Sequence, residues 1–451
     1  MTAPLPAEFV ARVRTELGTE ADALFAALEG ESPVSVRWNP YKTILPPSGE
    51  EVPWNRYGRY LPERPYFTAD PMFHAGTYYV QEASSMFVEH LLRSAMEPEG
   101  ARILDMCAAP GGKSTLYATL AGAEGLVVAN EVVRSRAATL ADNIRKWGIG
   151  NVLVSNNDPS HFAGLPEWFD VVAVDAPCSG EGMFRKSEEA RREWSEGAVE
   201  MCAARQRRIL ADAWEALRPG GIMIYSTCTF NRAEDEDNVA WLAENFDCED
   251  AGADVPAEWN IAISEAGGIR CFRFWPHRTK GEGFFAAAIR KCGQKGRTVR
   301  PKARRTIFTD LTRKETAEAA RWTGQPELMR FARIGDTIYG YYDINYADIR
   351  CMGEYLNVIH SGVCMGQLFN GSLKPDHSLA MFHNMYPYAA TTSALPIESA
   401  IRYLAKEELT ADMFAEGMNI VTFQGHALGW AKRIGRRVNN LYPKQLAIIN
   451  K

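Results

Sequence analysis

ARILDMCAAPGGKST, residues 101–115, runs from an apolar segment through an acid, Asp105, into a Gly/Pro turn and then into a stretch able to form a helix. A short buried strand that feeds a helix through such a turn is the repeating unit of a parallel α/β sheet. Four more apolar runs of the same kind follow: GLVVANE (125–131), NVLVSNND (151–158), DVVAVDAP (170–177) and GIMIYSTC (221–228). Helix-forming segments around 134–147, 198–217 and 234–245 alternate with them. The expected fold is α/β, a doubly wound and mostly parallel sheet occupying residues 96–292. Ligands of such sheets lie at the carboxyl ends of the strands, so the polar residues that close each run are the candidate site.

This core accounts for less than half of 451 residues, a length that calls for two or three domains. Upstream, Phe9, Val13, Leu17, Leu24, Phe25 and Leu28 recur at helical spacing. Pro33, Pro40, Pro46, Pro47, Pro53, Pro62 and Pro65 then impose strands and turns, so residues 1–95 read as an α+β accessory module. Downstream, RKCGQKGRTVRPKARR (290–305) carries eight Lys/Arg and no acid, and reads as a basic linker centred on 293–305. Residues 306–451 are rich in Tyr, Gly and short β-type runs, with no Asp or Glu beyond Glu416.

A formal net charge of -6 excludes a general polycation, so any nucleic-acid surface must be local. Nine Cys without a C-x-x-C pair fit a reducing compartment and argue against a disulfide framework or a zinc ribbon; no metal site is expected. No apolar run reaches the ~18 residues of a membrane span, and the N-terminus lacks a signal-peptide pattern. A cytoplasmic, monomeric protein with no membrane partner is expected.

CAAPGGKST (107–115) ends like a phosphate-binding P-loop, but Cys107 stands where that motif needs its first Gly, and no G-x-G-x-x-G dinucleotide turn is present. The remaining solution is an adenosine-based methyl donor. Glu131 closes the second run, 26 residues beyond Asp105, where an acid pairs with a ribose diol. Asp158 follows the third and Asp175 closes the fourth, facing the adenine and sulfonium ends. Each acid taken alone could equally cap the next turn or helix.

Cys178 (DAPCSGEGMFRK) and Cys228 (YSTCTFN) follow adjacent strands, whose loops open into one crevice. Both lie among small polar residues, where helix N-termini and Lys186 could lower a thiol pKa. Cys202, Cys248, Cys351 and Cys364 read as packing residues. A nucleophilic thiol beside a methyl donor points to carbon 5 of a pyrimidine, which needs addition at carbon 6 before it can attack a sulfonium. Spacing alone leaves open which thiol attacks.

In order, CAAPGGK, VDAPCSGEGMFRK, LRPGG, YSTCTFNRAEDEDNV and RFWPHRTKGEGFF, with NPYK and YVQEASSM upstream, resemble the motifs of Sun-type RNA cytosine-5 methyltransferases. FNGSLKPDHSLA and GWAKRIGRRVNNLYPKQLA are more loosely similar to the RNA-binding, PUA-like extension of the RsmF/YebU branch, which modifies small-subunit ribosomal RNA. The resemblance implies a Rossmann-like class I methyltransferase with RNA-binding regions on both sides. It implies that Cys107, Ala108, Ala109, Pro110, Gly111, Gly112 and Lys113, with Glu131, Asp158 and Asp175, bind S-adenosylmethionine. It also implies that Cys228 is the nucleophile, that Cys178 serves product release, and that Asp175 additionally holds the cytosine edge. Ribosomal RNA or the small subunit is the implied partner, with another RNA such as tRNA as the alternative.

RNA would be held by phosphate contacts to the linker and to Arg433, Arg436 and Arg437, and by base stacking on Trp430 and Tyr442. Two other classes compete, a P-loop-type NTPase and a non-catalytic RNA-binding protein. The second leaves both strand-end cysteine loops unexplained.

Overall fold

The computed structural model describes residues 3–43, 45–294, 301 and 307–449. The five apolar runs form parallel strands β1 (Arg102–Asp105), β2 (Leu126–Asn130), β3 (Val152–Ser155), β4 (Phe169–Asp175) and β5 (Leu217–Thr227). They lie side by side in the order β5-β4-β1-β2-β3. The chain thus starts in the middle and winds both ways, which opens a crevice at the carboxyl end of β1 and β4. Helices Gly112–Ala121, Arg134–Trp147 and Glu196–Ala216 cover the faces, and two apolar layers, one on each side of the sheet, form the core. This is the doubly wound architecture that the alternation of runs requires.

Antiparallel strands extend the sheet at both edges. Beyond β5, strand β6 (Phe284–Lys291) pairs with it in register, Phe285 opposite Thr227 and Arg290 opposite Ile222. At the other edge, Val358–Ser361 from the C-terminal region pairs with β3. The C-terminal region therefore contributes a strand to the central sheet. Asn345 reinforces the joint by donating to the carbonyls of Ala123 and Gly125, both at 2.9 Å.

β6 corrects the reading of the basic run at its start. Arg290 donates to the Ala95 and Gly220 carbonyls, and Lys291 to those of Trp214 and Leu217. These two cations close the end of the sheet, because a strand that extends to Lys291 turns their side chains onto its neighbours. Lys295, Arg297, Arg300, Lys302, Arg304 and Arg305 lie outside the described residues.

The N-terminal module also leans on the sheet. Helices Ala7–Leu17 and Ala21–Glu29 bury Phe9, Val13, Leu24 and Leu28 against Phe184, Trp194, Phe230 and Trp275, residues of the loops that follow β4 and β5 and of the segment before β6. Its four-stranded antiparallel sheet delivers Arg37, which is fully buried. Arg37 donates to Gln81 Oε1 (2.8 Å), Thr115 Oγ1 (2.6 Å) and the Gly112 carbonyl (3.1 Å). Its guanidinium also lies over the Trp147 ring at 4.5 Å. Two of its three guanidinium nitrogens are matched, Nη1 being without a partner, and these bonds lock the module onto the first helix of the sheet.

The C-terminal region ends in strands Thr391–Ala394, Gly417–Phe423, His426–Ile434 and Arg437–Asn440. It also meets the parallel-sheet half at Gly148, the left-handed C-cap of helix Arg134–Trp147 with φ +80°. A Cβ there would lie 2.0 Å from the Met381 carbonyl oxygen. Gly148→Ala should therefore cost roughly 2–4 kcal/mol, from left-handed strain plus displaced backbone. Gly197→Ala, a helical position with nothing within 4 Å, is the control. Urea titration of the two variants checks this, and equal midpoints would contradict the close docking of the two halves.

Candidate functional site

The carboxyl ends of β1, β4 and β5, together with Tyr79–Glu82 and Glu282–Phe284, enclose a cleft of about 530 Å³. Cys107, Ala108, Ala109, Pro110, Gly112 and Lys113 line one side; Asp175, Gly182, Met183, Lys186 and Cys228 line the other. The carbonyls of the turn are tied down by side-chain donors. Arg136 donates to the Ala109 carbonyl, Asn143 to that of Pro110, and Arg37 to that of Gly112. Gly111 stands just before the helix at φ +115°, a backbone conformation open to Gly. A Cβ at Gly111 would approach Leu140 Cδ1 at 3.1 Å.

Lys113 reaches across to Asp175, Nζ to Oδ2, at 2.8 Å. Burial works against the ammonium, but Asp175, Asp105 and Cys228 more than compensate, and its pKa is raised. The other Asp175 oxygen accepts from Ser226 Oγ at 2.8 Å. Asp175 and Ser226 are register partners in β4 and β5, so the two following loops set out side by side. Cys178 Sγ and Cys228 Sγ meet at 3.2 Å.

The loops are cross-laced by two buried carboxylates. Glu181 accepts from Arg12 (2.6 Å), Trp194 Nε1 (3.0 Å) and the Phe230 amide (3.1 Å). Glu234 accepts from the Ser179 amide (3.0 Å), Gln206 (2.7 Å) and Asn231 (2.7 Å). Glu181 thus ties the N-terminal helix to both cysteine loops.

Hydrogen bonding to the Cys228 sulfur, with burial, pushes the Cys178 thiol well above its ordinary pKa. This corrects the expectation of a lowered pKa there. Lys186 does not act on Cys178; it pairs with Glu282 at 3.3 Å. Lys113 is the cation that shares the cleft lining with Cys228 and pairs with Asp175. Burial also pushes the Cys107 thiol up.

Glu131 and Asp158 close neighbouring strands but do not line the cleft. Glu131 Oε1 accepts from the Val133 amide at 2.8 Å. Asp158 caps the turn Pro159–Gly164, accepting from the amide and hydroxyl of Ser160. Asp105 is the residue that the sequence reading passed over. It lines the cleft, Ser114 donates to its Oδ2 at 2.7 Å, and its buried Oδ1 has no hydrogen-bond partner. A buried, unpaired acceptor beside a turn of this kind fits an ammonium group of the ligand. Its place at the end of the first strand was the available signal.

Two expected RNA contacts are corrected. Trp430 is 1% exposed and its Nε1 donates to the Asp376 carbonyl. Tyr442 is 3% exposed and its hydroxyl is shared with His74. The strand that carries Trp430 turns it inward onto Trp322, so neither ring can stack on a base. Arg433 is occupied by the Phe414 and Gly435 carbonyls, whereas Arg436 and Arg437 are exposed.

Residues 94–290 match the model of the 16S rRNA methyltransferase RsmB/F family. Residues 5–83 match the N-terminal domain of the 16S rRNA methyltransferase RsmF, and 390–448 the methyltransferase RsmF PUA domain. A ribosomal RNA small subunit methyltransferase F from Pectobacterium atrosepticum is 32% identical over 98% of this chain and 96% of its own. The chain belongs to the 16S rRNA methyltransferase RsmB/F family. As a member it is an S-adenosylmethionine-dependent methyltransferase, which displaces the NTPase and non-catalytic readings. The counterpart from an Enterobacter species is also 32% identical, over 98% of this chain and 95% of its own. Among solved structures, a methyltransferase homolog protein from Pyrococcus horikoshii is 30% identical with a TM-score of 0.54, covering 63% of this chain and 94% of its own. No helix among the described residues is long and apolar enough to cross a membrane.

Burial raises the Asp105 pKa to about 7. A carboxyl raised in the folded state makes the folded protein bind more protons than the unfolded chain between about pH 4 and 7. Its contribution to stability therefore falls as pH rises through that window, by up to ~1.4 kcal/mol per unit. Asp105→Asn removes this slope. The difference in unfolding free energy, wild type minus variant, should decline from pH 4 to 7, and a constant difference would contradict the assignment.

Proposed function

We propose that this enzyme methylates carbon 5 of cytosine in small-subunit ribosomal RNA through a covalent adduct with Cys228. The observation that carries the reading is the pair of thiols 3.2 Å apart, of which Cys228 lines the cleft together with the Lys113–Asp175 ion pair. The substrate class follows that of the named relatives.

S-adenosylmethionine, when bound, supplies an electrophilic methyl group on a sulfonium. Cys107 to Lys113 would hold it, with Asp175 toward the reacting end, and Glu131 and Asp158, at the next two strand ends, would meet it only beyond the cleft lining. Asp105 takes its ammonium group on the unpaired Oδ1. Lys113 lines the cleft with Cys228 and is held by Asp175. As the sulfur adds to carbon 6, the thiol proton passes through Asp175 to the pyrimidine edge that Asp175 holds, and the electrons of the 5,6 double bond shift toward carbon 4. Carbon 5 is then an enamine-like nucleophile and takes the methyl group. Solvent takes the carbon 5 proton, its electron pair re-forms the 5,6 double bond, and the carbon 6–sulfur bond breaks with its electrons returning to sulfur, which restores the ring. Cys178 keeps its proton and is hydrogen-bonded to the same sulfur, so it stabilises that sulfur as it departs.

The target base must leave its stack to reach the cleft. The PUA region, with Arg436 and Arg437 exposed on it, and the basic segment after β6 supply phosphate contacts. We place the enzyme in the cytoplasm, as its free thiols suggest, and take it to act as a monomer.

Cys228→Ser should abolish methylation of small-subunit RNA. Cys178→Ser should leave a covalent protein–RNA adduct that accumulates as a shifted band on denaturing gels. An adduct from the Cys228 variant and none from the Cys178 variant would reverse the two roles.

A further inference from the structure

Four carboxylates line the cleft: Glu82, Asp105, Asp175 and Glu282. Three have evident work. The oxygens of Glu82 accept from the amides of Ser84, Ser85 and Glu282. Asp175 is taken by Lys113 and Ser226, and Asp105 by Ser114 at the donor turn. Glu282 differs. It is 3% exposed, and neither carboxyl oxygen has a hydrogen-bond partner.

Its charge is nonetheless matched. Lys186 Nζ lies 3.3 Å from one oxygen and Arg185 Nε 3.6 Å from the other, close enough for ion pairing without a formed hydrogen bond. Its main chain is fixed as well, the amide on Glu82 Oε1 at 2.9 Å and the carbonyl accepting from Ser84 Oγ at 3.3 Å. What remains is a pinned acceptor facing a cleft. A buried acceptor left without a donor is costly, so it is expected to meet one when the site is occupied.

Glu282 sits on the base side of the cleft. A Cβ on Gly182 would lie 2.8 Å from the Cys228 carbonyl and 2.8 Å from the Gly283 carbonyl, so the backbones flanking the nucleophile and Glu282 converge on one glycine. Phe285 then pairs with Thr227, directly before Cys228. We propose that Glu282 accepts a hydrogen bond from the exocyclic amine of the target base and so makes the site select cytosine over uracil. This rests on the covalent reading above. Cytosine presents an N–H donor at carbon 4 where uracil presents a carbonyl oxygen. A carboxylate pairs with the first and repels the second, and polar sites of this kind discriminate strongly because a mismatch leaves buried groups unpaired. Gln at this position can turn its amide to donate to the uracil oxygen.

The test uses transcripts of small-subunit RNA made with 5-fluoropyrimidines, with either cytosine or uracil at the methylated position. After transfer, a carbon 5 bearing fluorine and methyl has no proton to lose, so the adduct with Cys228 persists and is counted on gels. Wild type should trap the cytosine RNA in strong preference. Glu282→Gln should reduce the cytosine-to-uracil ratio at least 10-fold, a ratio that a general loss of activity or folding does not move. An unchanged ratio overturns the proposal and leaves the covalent reading intact. If Glu282→Gln traps neither RNA, Glu282→Asp decides: a retained cytosine preference supports the proposal, and a lost one overturns it. Failure of wild type to trap either RNA would contradict the covalent reading itself, and this proposal with it.

Discussion

The structure depends on the parallel register of β4 and β5. Because Asp175 faces Ser226 in that register, two loops of different sequence leave the sheet from adjacent points at the same height. They cannot diverge without breaking the Ala176 amide bond to the Ser226 carbonyl or the Gly182 amide bond to the Cys228 carbonyl. The 3.2 Å separation of the two sulfurs is a consequence of this constraint. So is the position of the Lys113–Asp175 pair, since Asp175 ends the strand and Lys113 begins the helix after the neighbouring one. Parallel strands are needed here; an antiparallel neighbour would send one loop to the opposite end of the sheet.

Much of the remaining molecule keeps those loops still. Glu181 and Glu234 are buried and gather amide, indole and guanidinium donors from both loops and from Arg12. Behind them, Arg273 pairs with Asp235 and Glu236 and donates to the Phe230 carbonyl two residues past Cys228. Buried charges of this kind add little net stability, but removing one partner is costly, so the geometry is held in one arrangement. The N-terminal helices add an apolar buttress of Phe9 against Phe184, Trp194 and Phe230. The N-terminal module is thus part of the catalytic framework as well as a flanking unit.

How far this was legible in the sequence follows from the range of each signal. The strands, the turn and the cysteine loops announce themselves locally, through apolar runs closed by Asp105, Glu131, Asp175 and Cys228, and the sheet order follows from general winding rules. Contacts set by tertiary packing were not visible. Val358–Ser361 is a short β-type run in the sequence, and nothing in it shows that it will extend the central sheet. Trp430 and Tyr442 lie among basic residues along the chain, yet strand alternation and the His74 contact bury them. Arg290 and Lys291 count as charge in a linear reading but close the sheet onto main-chain carbonyls. Lys186 is near Cys178 in sequence, and its ion pair with Glu282 depends on a segment almost a hundred residues away.

The central claim is that this cleft places a methyl group on carbon 5 of cytosine in small-subunit ribosomal RNA. Bisulfite sequencing of that RNA tests it most directly, comparing cells that carry the enzyme, cells that lack it, and the latter supplied with wild type or with Cys228→Ser. The account predicts at least one cytosine that resists conversion only when wild-type enzyme is present. Identical conversion at every cytosine in all four samples would contradict it.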